Sequence, residues 1–314
     1  MADINDPAWE RKLIERLAQD ALLEQRRRRR WGIFFKLLGF GYLTVILVMA
    51  FQGGGDGLGD GKPHTALVQM TGVIREKGDA NAEHLVTGLQ SAFEDKGTKG
   101  VILLINSPGG SPVQAGIIND EMYRLRAKYP NIPLYVVVED VCASGGYYVA
   151  VAADKIYVDK ASIVGSIGVL MDGFGFVGLM DKLGIERRLL TAGKNKGMLD
   201  PFSPQDETQL AYAKVMIDQV HQQFIKVVRE GRGTRLKETP ETFSGLFWNG
   251  EEAVKSGLAD HFGSLDYVAR EVIKAPEVID YTPKENVAER LAKRFGASIG
   301  AGAMKALQSS TRLH

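Results

Sequence analysis

VILLINSPGGSPVQAGIINDEMYRLRAKYPNIPLYVVVEDVCASGGYYVAVAADKIYVD, residues 101–159, decides the fold. Three short apolar runs stand in it: VILLIN (101–106), LYVVVE (134–139) and KIYVD (155–159). Between them lie two stretches with helical spacing, VQAGIINDEMYRLRAKY (113–129) and SGGYYVAVAA (144–153). The central runs are apolar throughout rather than alternating, as strands are when both faces are covered. Strands joined through helices run parallel, because the helix carries the chain back to the end where it started. The same alternation continues upstream, with a strand over ALVQMTGVI (66–74) and a helix over AEHLVTGLQSAFED (82–95). Downstream, residues 204–275 read as mainly helical, with DETQLAYAKVMIDQVHQQFIKVVREGR (206–232) as the longest element. The expected class is α/β: a mostly parallel sheet flanked by helices.

The N-terminal part has a different character. Residues 8–25 space Trp9, Leu13, Leu17 and Leu22 at helical intervals, and Arg26 to Arg30 follow as five consecutive arginines. Residues 37–52 then carry no charge. With Ile33 to Phe35, and Lys36 able to reach the headgroups, the apolar stretch attains about the 20 residues that cross a bilayer. The long charged segment ahead of it and the absence of a small-x-small site after it favour a retained anchor over a cleaved signal. The arginines keep the N-terminus inside, so the rest of the chain is expected outside the membrane. The expected organisation is a basic amphipathic segment at 1–30, a transmembrane anchor at 31–52, a glycine-rich linker at 53–63, a main folded domain at 64–275 and a tail at 276–314. The tail from 284 reads as amphipathic helix or disordered chain.

Composition excludes little. The 314 residues carry a net charge of +1, which gives no reason to expect nucleic-acid binding. Cys142 is the single cysteine, so no internal disulfide can form.

Three glycine-bearing turns follow predicted strands: Asn106 to Gly110, Ala143 to Gly146, and Val164 to Gly168. In parallel α/β sheets ligands bind beyond the carboxyl ends of the strands, so the three can face one crevice. Paired glycines let backbone approach a carbonyl and present N–H groups to a developing oxyanion. A serine hydroxyl such as that of Ser144 needs a base within reach. None of His64, His84, His221, His261 and His314 lies in such a turn, and no G-x-S-x-G elbow is present. The other available base is lysine. LLTAGKNKGMLDPF (189–202) places Lys194 and Lys196 in a glycine-flanked loop after a predicted strand, and the residues alone do not choose between them. Each feature has a plainer reading: Ser144 as a helix N-cap, the lysines as solvated surface charges, and NSPGG as a turn.

Taken in order, NSPGG, ASGGYYVA, GSIGV and AGKNKG…DPFSP resemble the S49 family of serine proteases, signal peptide peptidase A and its relatives. The resemblance covers about residues 64–272, including FWNGEEAVKSGLADHFGSLDY, and is to the short, single-repeat form. It implies a ClpP/crotonase-like core and a Ser–Lys dyad. Ser144 matches the nucleophile, Lys196 the general base, and Ser166 the serine that orients the base. Gly110 and Gly145 match the oxyanion hole. Cys142 departs from the small residue common at its position and reads as packing. The resemblance implies no cofactor and no metal. It implies a homo-oligomer, tetramer or octamer, and signal peptides and other membrane-proximal peptides as substrates. Small or apolar side chains are expected just before the cut. The expected location is a bacterial inner membrane, with the N-terminus cytoplasmic and the catalytic domain periplasmic. The rival classes are a crotonase-like CoA enzyme and a scaffold with a dead site.

Overall fold

The computed structural model describes residues 7–52 and 61–283. Most of the expected linker (53–60) and the tail from 284 lie outside the described residues. Residues 57–283 form one compact unit, separate from that of the N-terminal helix.

That helix, α1 (Pro7–Gln52), is continuous where the sequence suggested two segments. Proline at its start supplies a fixed φ where no N–H partner is required, and no proline follows to break it. Its described apolar side chains, Phe40, Leu43 and Ile46 among them, are exposed. Among the described residues no helix is long and apolar enough to cross a membrane. The charge-free stretch begins at Leu37, and the side chains beyond Ile46 lie outside the described set.

The 57–283 unit is built on β1 (His64–Thr71), β2 (Thr98–Ser107), β3 (Leu134–Ala143), β4 (Lys155–Val158), β5 (Ile163–Gly165), β6 (Phe247–Asn249), β7 (His261–Phe262) and β8 (Val278–Asp280). The sheet order is β6-β5-β3-β2-β1-β8, with β4 bridging β3 and β7. Every pairing is parallel except β5 with β6. β2 shows why the central runs are apolar throughout. Val101, Leu103 and Ile105 point into the main core, while Ile102 and Leu104 point into a smaller one on the opposite face.

The main core is closed by α2 (Ala82–Glu94), α3 (Pro112–Lys128), α4 (Gly145–Ala150), α6 (Glu207–Arg232) and α7 (Gly250–Ser256), through residues such as Phe93, Met122, Tyr147, Phe224 and Ala253. In contrast, α5 (Val177–Leu183) buries no residue. The second face has thinner cover. A short turn, α8 (Leu265–Tyr267), and the wider coil Val268–Ile273 lay Val268 and Ala269 on Leu67, Ile102 and Tyr157. Helix starts follow ordinary capping: Asn81 accepts from the His84 N–H, Ser111 from that of Gln114 and Asp206 from that of Gln209.

β3 divides its partners. Tyr135 to Val137 pair with β4, and Val141 to Ala143 with β5. Against β2, Ile105 faces Val138 but Ser107 faces Cys142, so β3 carries two extra residues there. That bulge swings the end of β3 over toward β5 and sets the direction in which the next turn leaves the sheet.

Candidate active site

Ser144 is the hinge between β3 and α4. Its backbone sits at φ 50°, ψ −123°, a region that glycine occupies readily and serine does not. The turn is held by the Ser144 N–H donating to Gly165 O at 2.8 Å, and the Ser144 carbonyl accepts from Tyr148 N–H at 3.0 Å. Ser144 is the residue that precedes α4, yet its hydroxyl makes no capping bond. The plain N-cap reading therefore fails, because the hydroxyl caps nothing.

The NSPGG turn lies directly against this one. A Cβ on Gly109 would come within 2.6 Å of the Gly145 nitrogen and 2.7 Å of the Ser144 Cβ. The Gly109 carbonyl accepts from Ile74 N–H at 2.8 Å. A trans peptide points its C=O and N–H in opposite directions, so this bond turns the Gly110 N–H away from Ile74. A Cβ on Gly145 would lie 3.2 Å from that nitrogen. Neither the Gly110 nor the Gly145 N–H has an acceptor among the described residues. Two such donors beside a serine hydroxyl can receive a developing oxyanion.

The third turn completes the cluster. Ala143 pairs with Gly165, and Ser166 follows with φ 51°. Ser166 N–H donates to Leu246 O at 2.8 Å. His221, read from sequence only as a helix residue, reaches the same turn: its Nε2 donates to Ile167 O at 3.1 Å. Nothing in the local pattern of α6 pointed to this contact. No described histidine bonds to Ser144; His64, for instance, is buried against Lys62 O and Tyr281 Oη. Cys142 is fully buried and burial pushes its thiol well up, so it packs rather than reacts.

Lys196 makes no hydrogen bond to this cluster among the described residues. Residues 186–192 form no strand, contrary to the sequence reading, and pair with no strand of the sheet. The loop turns on Gly193 (φ 102°), with Lys196 N–H donating to Gly193 O at 3.1 Å. Lys196 is exposed, and no hydrogen bond joins it to Ser144 or Ser166. Lys194 is exposed as well. A cleft of about 320 Å³ opens beside this loop between Met171, Phe174, Leu199 and Leu210, and Ser144 does not line it.

Gly110→Ala is expected to lower kcat on the order of 10²-fold, because its Cβ would strike the Ile74 carbonyl and displace the Gly110 N–H. Peptide hydrolysis beside a thermal melt measures the effect; unchanged turnover would remove Gly110 from the site.

A profile described as Peptidase family S49 matches residues 126–278, the stretch that holds Ser144, Ser166 and Lys196. The chain is 35% identical over 211 residues to putative protease MJ0651 of Methanocaldococcus jannaschii, covering 66% of this chain and 67% of that one. It is 30% identical over 235 residues to a putative signal peptide peptidase SppA of Enterococcus faecium, covering 72% and 68%. A further relative, at 46% identity over 177 residues, is named Na(+)/H(+) antiporter NhaA in Brucella melitensis biotype 1; the match covers 56% of this chain and 24% of that protein. Among solved structures, a ClpP1 mutant of Listeria monocytogenes is similar at a TM-score of 0.39 and 15% identity, over 63% of this chain and 91% of that one. By its matches to the profile and to these protease relatives, the chain belongs to peptidase family S49.

Proposed function

We propose that the protein is a membrane-anchored serine endopeptidase that works through an acyl-enzyme. The observation that carries this reading is Ser144: strained, uncapped, and beside two unpartnered N–H groups. In the first step Lys196 takes the Ser144 proton as Oγ attacks the scissile carbonyl. The oxyanion is held by the Gly110 and Gly145 N–H groups, and Ser166 orients the lysine amine. Collapse of the tetrahedral adduct breaks the C–N bond, and Lys196 returns the proton to the departing amine. Water then repeats the sequence on the ester, releasing the acid and restoring Ser144.

The dyad requires Lys196 to approach Ser144, and its loop belongs to an arm with little of its own core. Leu170, Phe174, Leu183 and Leu190 are exposed there, the last at 96%. Exposed apolar surface of this kind is buried in assemblies. This supports a homo-oligomer, tetramer or octamer, in which a neighbouring copy covers the arm and draws the lysine to a serine. Lys196→Ala should lower kcat/KM on a short apolar peptide by about 10²-fold or more, and Lys194→Ala by less than about threefold. Mixed assemblies of Ser144→Ala and Lys196→Ala chains should regain activity where the lysine is supplied across an interface. A dead Lys194→Ala with an active Lys196→Ala would move the base to Lys194.

The substrates proposed are released signal peptides and other membrane-proximal peptides, with small or apolar side chains before the cut. The SppA relative supports this by its name. The antiporter's name describes a protein of which most lies outside the match. The arginine run before an apolar helix supports a single-pass bacterial inner-membrane anchor with the catalytic domain periplasmic. A reporter that fluoresces only in the cytoplasm should stay dark at the C-terminus, and a bright fusion would reverse the topology.

A further inference from the structure

We propose that Ser107 is a positioning residue that prevents the oxyanion peptide from flipping, an inference that rests on the serine-peptidase reading of Ser144. The peptide between Gly109 and Gly110 presents the Gly110 N–H to the site only in one orientation. Flipped over, it would present the Gly109 carbonyl, which repels an oxyanion. Glycine at both ends makes such a flip sterically cheap, with Gly109 at φ 100° and Gly110 at φ 145°.

Two hydrogen bonds pin Gly109. The one on its carbonyl opposes the flip directly, and the one on its N–H fixes the preceding peptide plane from which the flip would turn. Its carbonyl is held by the Ile74 N–H at 2.8 Å. Its own N–H donates to Ser107 Oγ at 3.1 Å. The Ser107 hydroxyl is in turn oriented, because it donates to the Gly72 carbonyl at 2.7 Å. Both pins therefore hang from one segment, Gly72 to Ile74, where the chain leaves β1. Ser107 is fully buried, so water does not replace its hydroxyl. It also backs the nucleophile's helix: a Cβ on Gly146 would lie 3.0 Å from Ser107 O and 3.5 Å from its Cβ. One side chain thus ties the end of β1, the oxyanion turn and the first turn of α4 together without touching the substrate.

The test separates this from a general loss of structure. Ser107→Ala should lower kcat about tenfold to a hundredfold while KM changes less than about twofold. A short apolar peptide aldehyde, whose adduct with Ser144 carries the oxyanion, should lose affinity by the same factor. The corresponding peptide alcohol, which has no carbonyl to be held, should bind Ser107→Ala as it binds the wild type. Ser107→Cys keeps the shape with weaker hydrogen bonding and should fall between the two; it carries the same comparison if the alanine variant does not fold. Wild-type kcat in Ser107→Ala, or equal losses of aldehyde and alcohol affinity, would overturn the proposal. Activity retained in Ser144→Ala would instead remove the underlying peptidase reading.

Discussion

Ser144→Ala is expected to abolish peptide hydrolysis, with kcat lower on the order of 10⁴-fold or more, and to leave the melting temperature essentially unchanged. The reason lies in what the side chain does in the fold. Its hydroxyl caps nothing and bonds to nothing among the described residues, so removing it costs the native state no hydrogen bond. Chemistry, in contrast, loses its attacking atom, and removing one member of a nucleophile–base unit costs about as much as removing all of it. Ser144→Gly adds a sharper test. At φ 50°, ψ −123° a serine is strained and a glycine is not, so this variant should be equally inactive and more stable by about 1 kcal/mol. A dead enzyme that melts higher is the signature of strain kept for function. Glycine destabilising at this position would show that the turn is not strained as described.

The second large effect is on stability and lies away from the site. Arg232, at the end of α6, is fully buried and meets Asp260 in a two-pronged ion pair, at 2.9 and 3.0 Å. Its Nε donates to Gly257 O at 2.8 Å, and Asp260 also accepts from the Ile156 N–H at 2.7 Å. The pair thus fastens α6 to β4 and to the segment before β7. Asp260→Ala would leave a guanidinium buried without its counter-charge, and the expected cost is about 3–5 kcal/mol. Burial alone would raise the Asp260 carboxyl, but the Arg232 hydrogen bonds and charge, the Ile156 N–H and Arg235 outweigh it and hold it below the ordinary carboxylate range. A depressed carboxyl contributes stability above the ordinary carboxyl range, and that contribution is lost as pH falls through the lowered value. The gap between wild type and Asp260→Asn should therefore be widest near neutral pH and close in acid. Urea melts at pH 7 and at about pH 3 measure both points. A gap that does not narrow would mean that the pairing energy does not come from the carboxylate charge.

The parallel sheet was legible in the sequence because both of its faces are buried. Residues 101–105 and 136–138 leave no polar position for water, as strands covered on both faces do. The helices at 82–94, 112–128 and 207–232 were legible from their spacing and caps. The short strands β5, β6, β7 and β8 were not, since two or three residues of edge pairing leave no periodic pattern. The bulge that divides β3 was also hidden, because it depends on the register with β2 and not on composition. At the site, the three glycine turns announced themselves, and the structure brings the Ser144, Gly110 and Ser166 turns together. The strain at Ser144 and the contacts of His221 and Ser107 could not be read, because each depends on backbone from a distant strand or turn. The strand expected before Lys196 failed for a related reason. RRLL (187–190) pairs with no strand; Arg187 instead meets Asp200 and Phe202 of the following loop.

The most direct test of Ser144 as the nucleophile is to trap it. The full-length protein in detergent micelles would be treated with a fluorophosphonate, digested, and the modified residue located by mass spectrometry. The expected result is a single adduct on Ser144, formed in step with loss of peptidase activity and absent from Ser144→Ala. An adduct on another serine, or complete inactivation with Ser144 unmodified, would contradict the assignment.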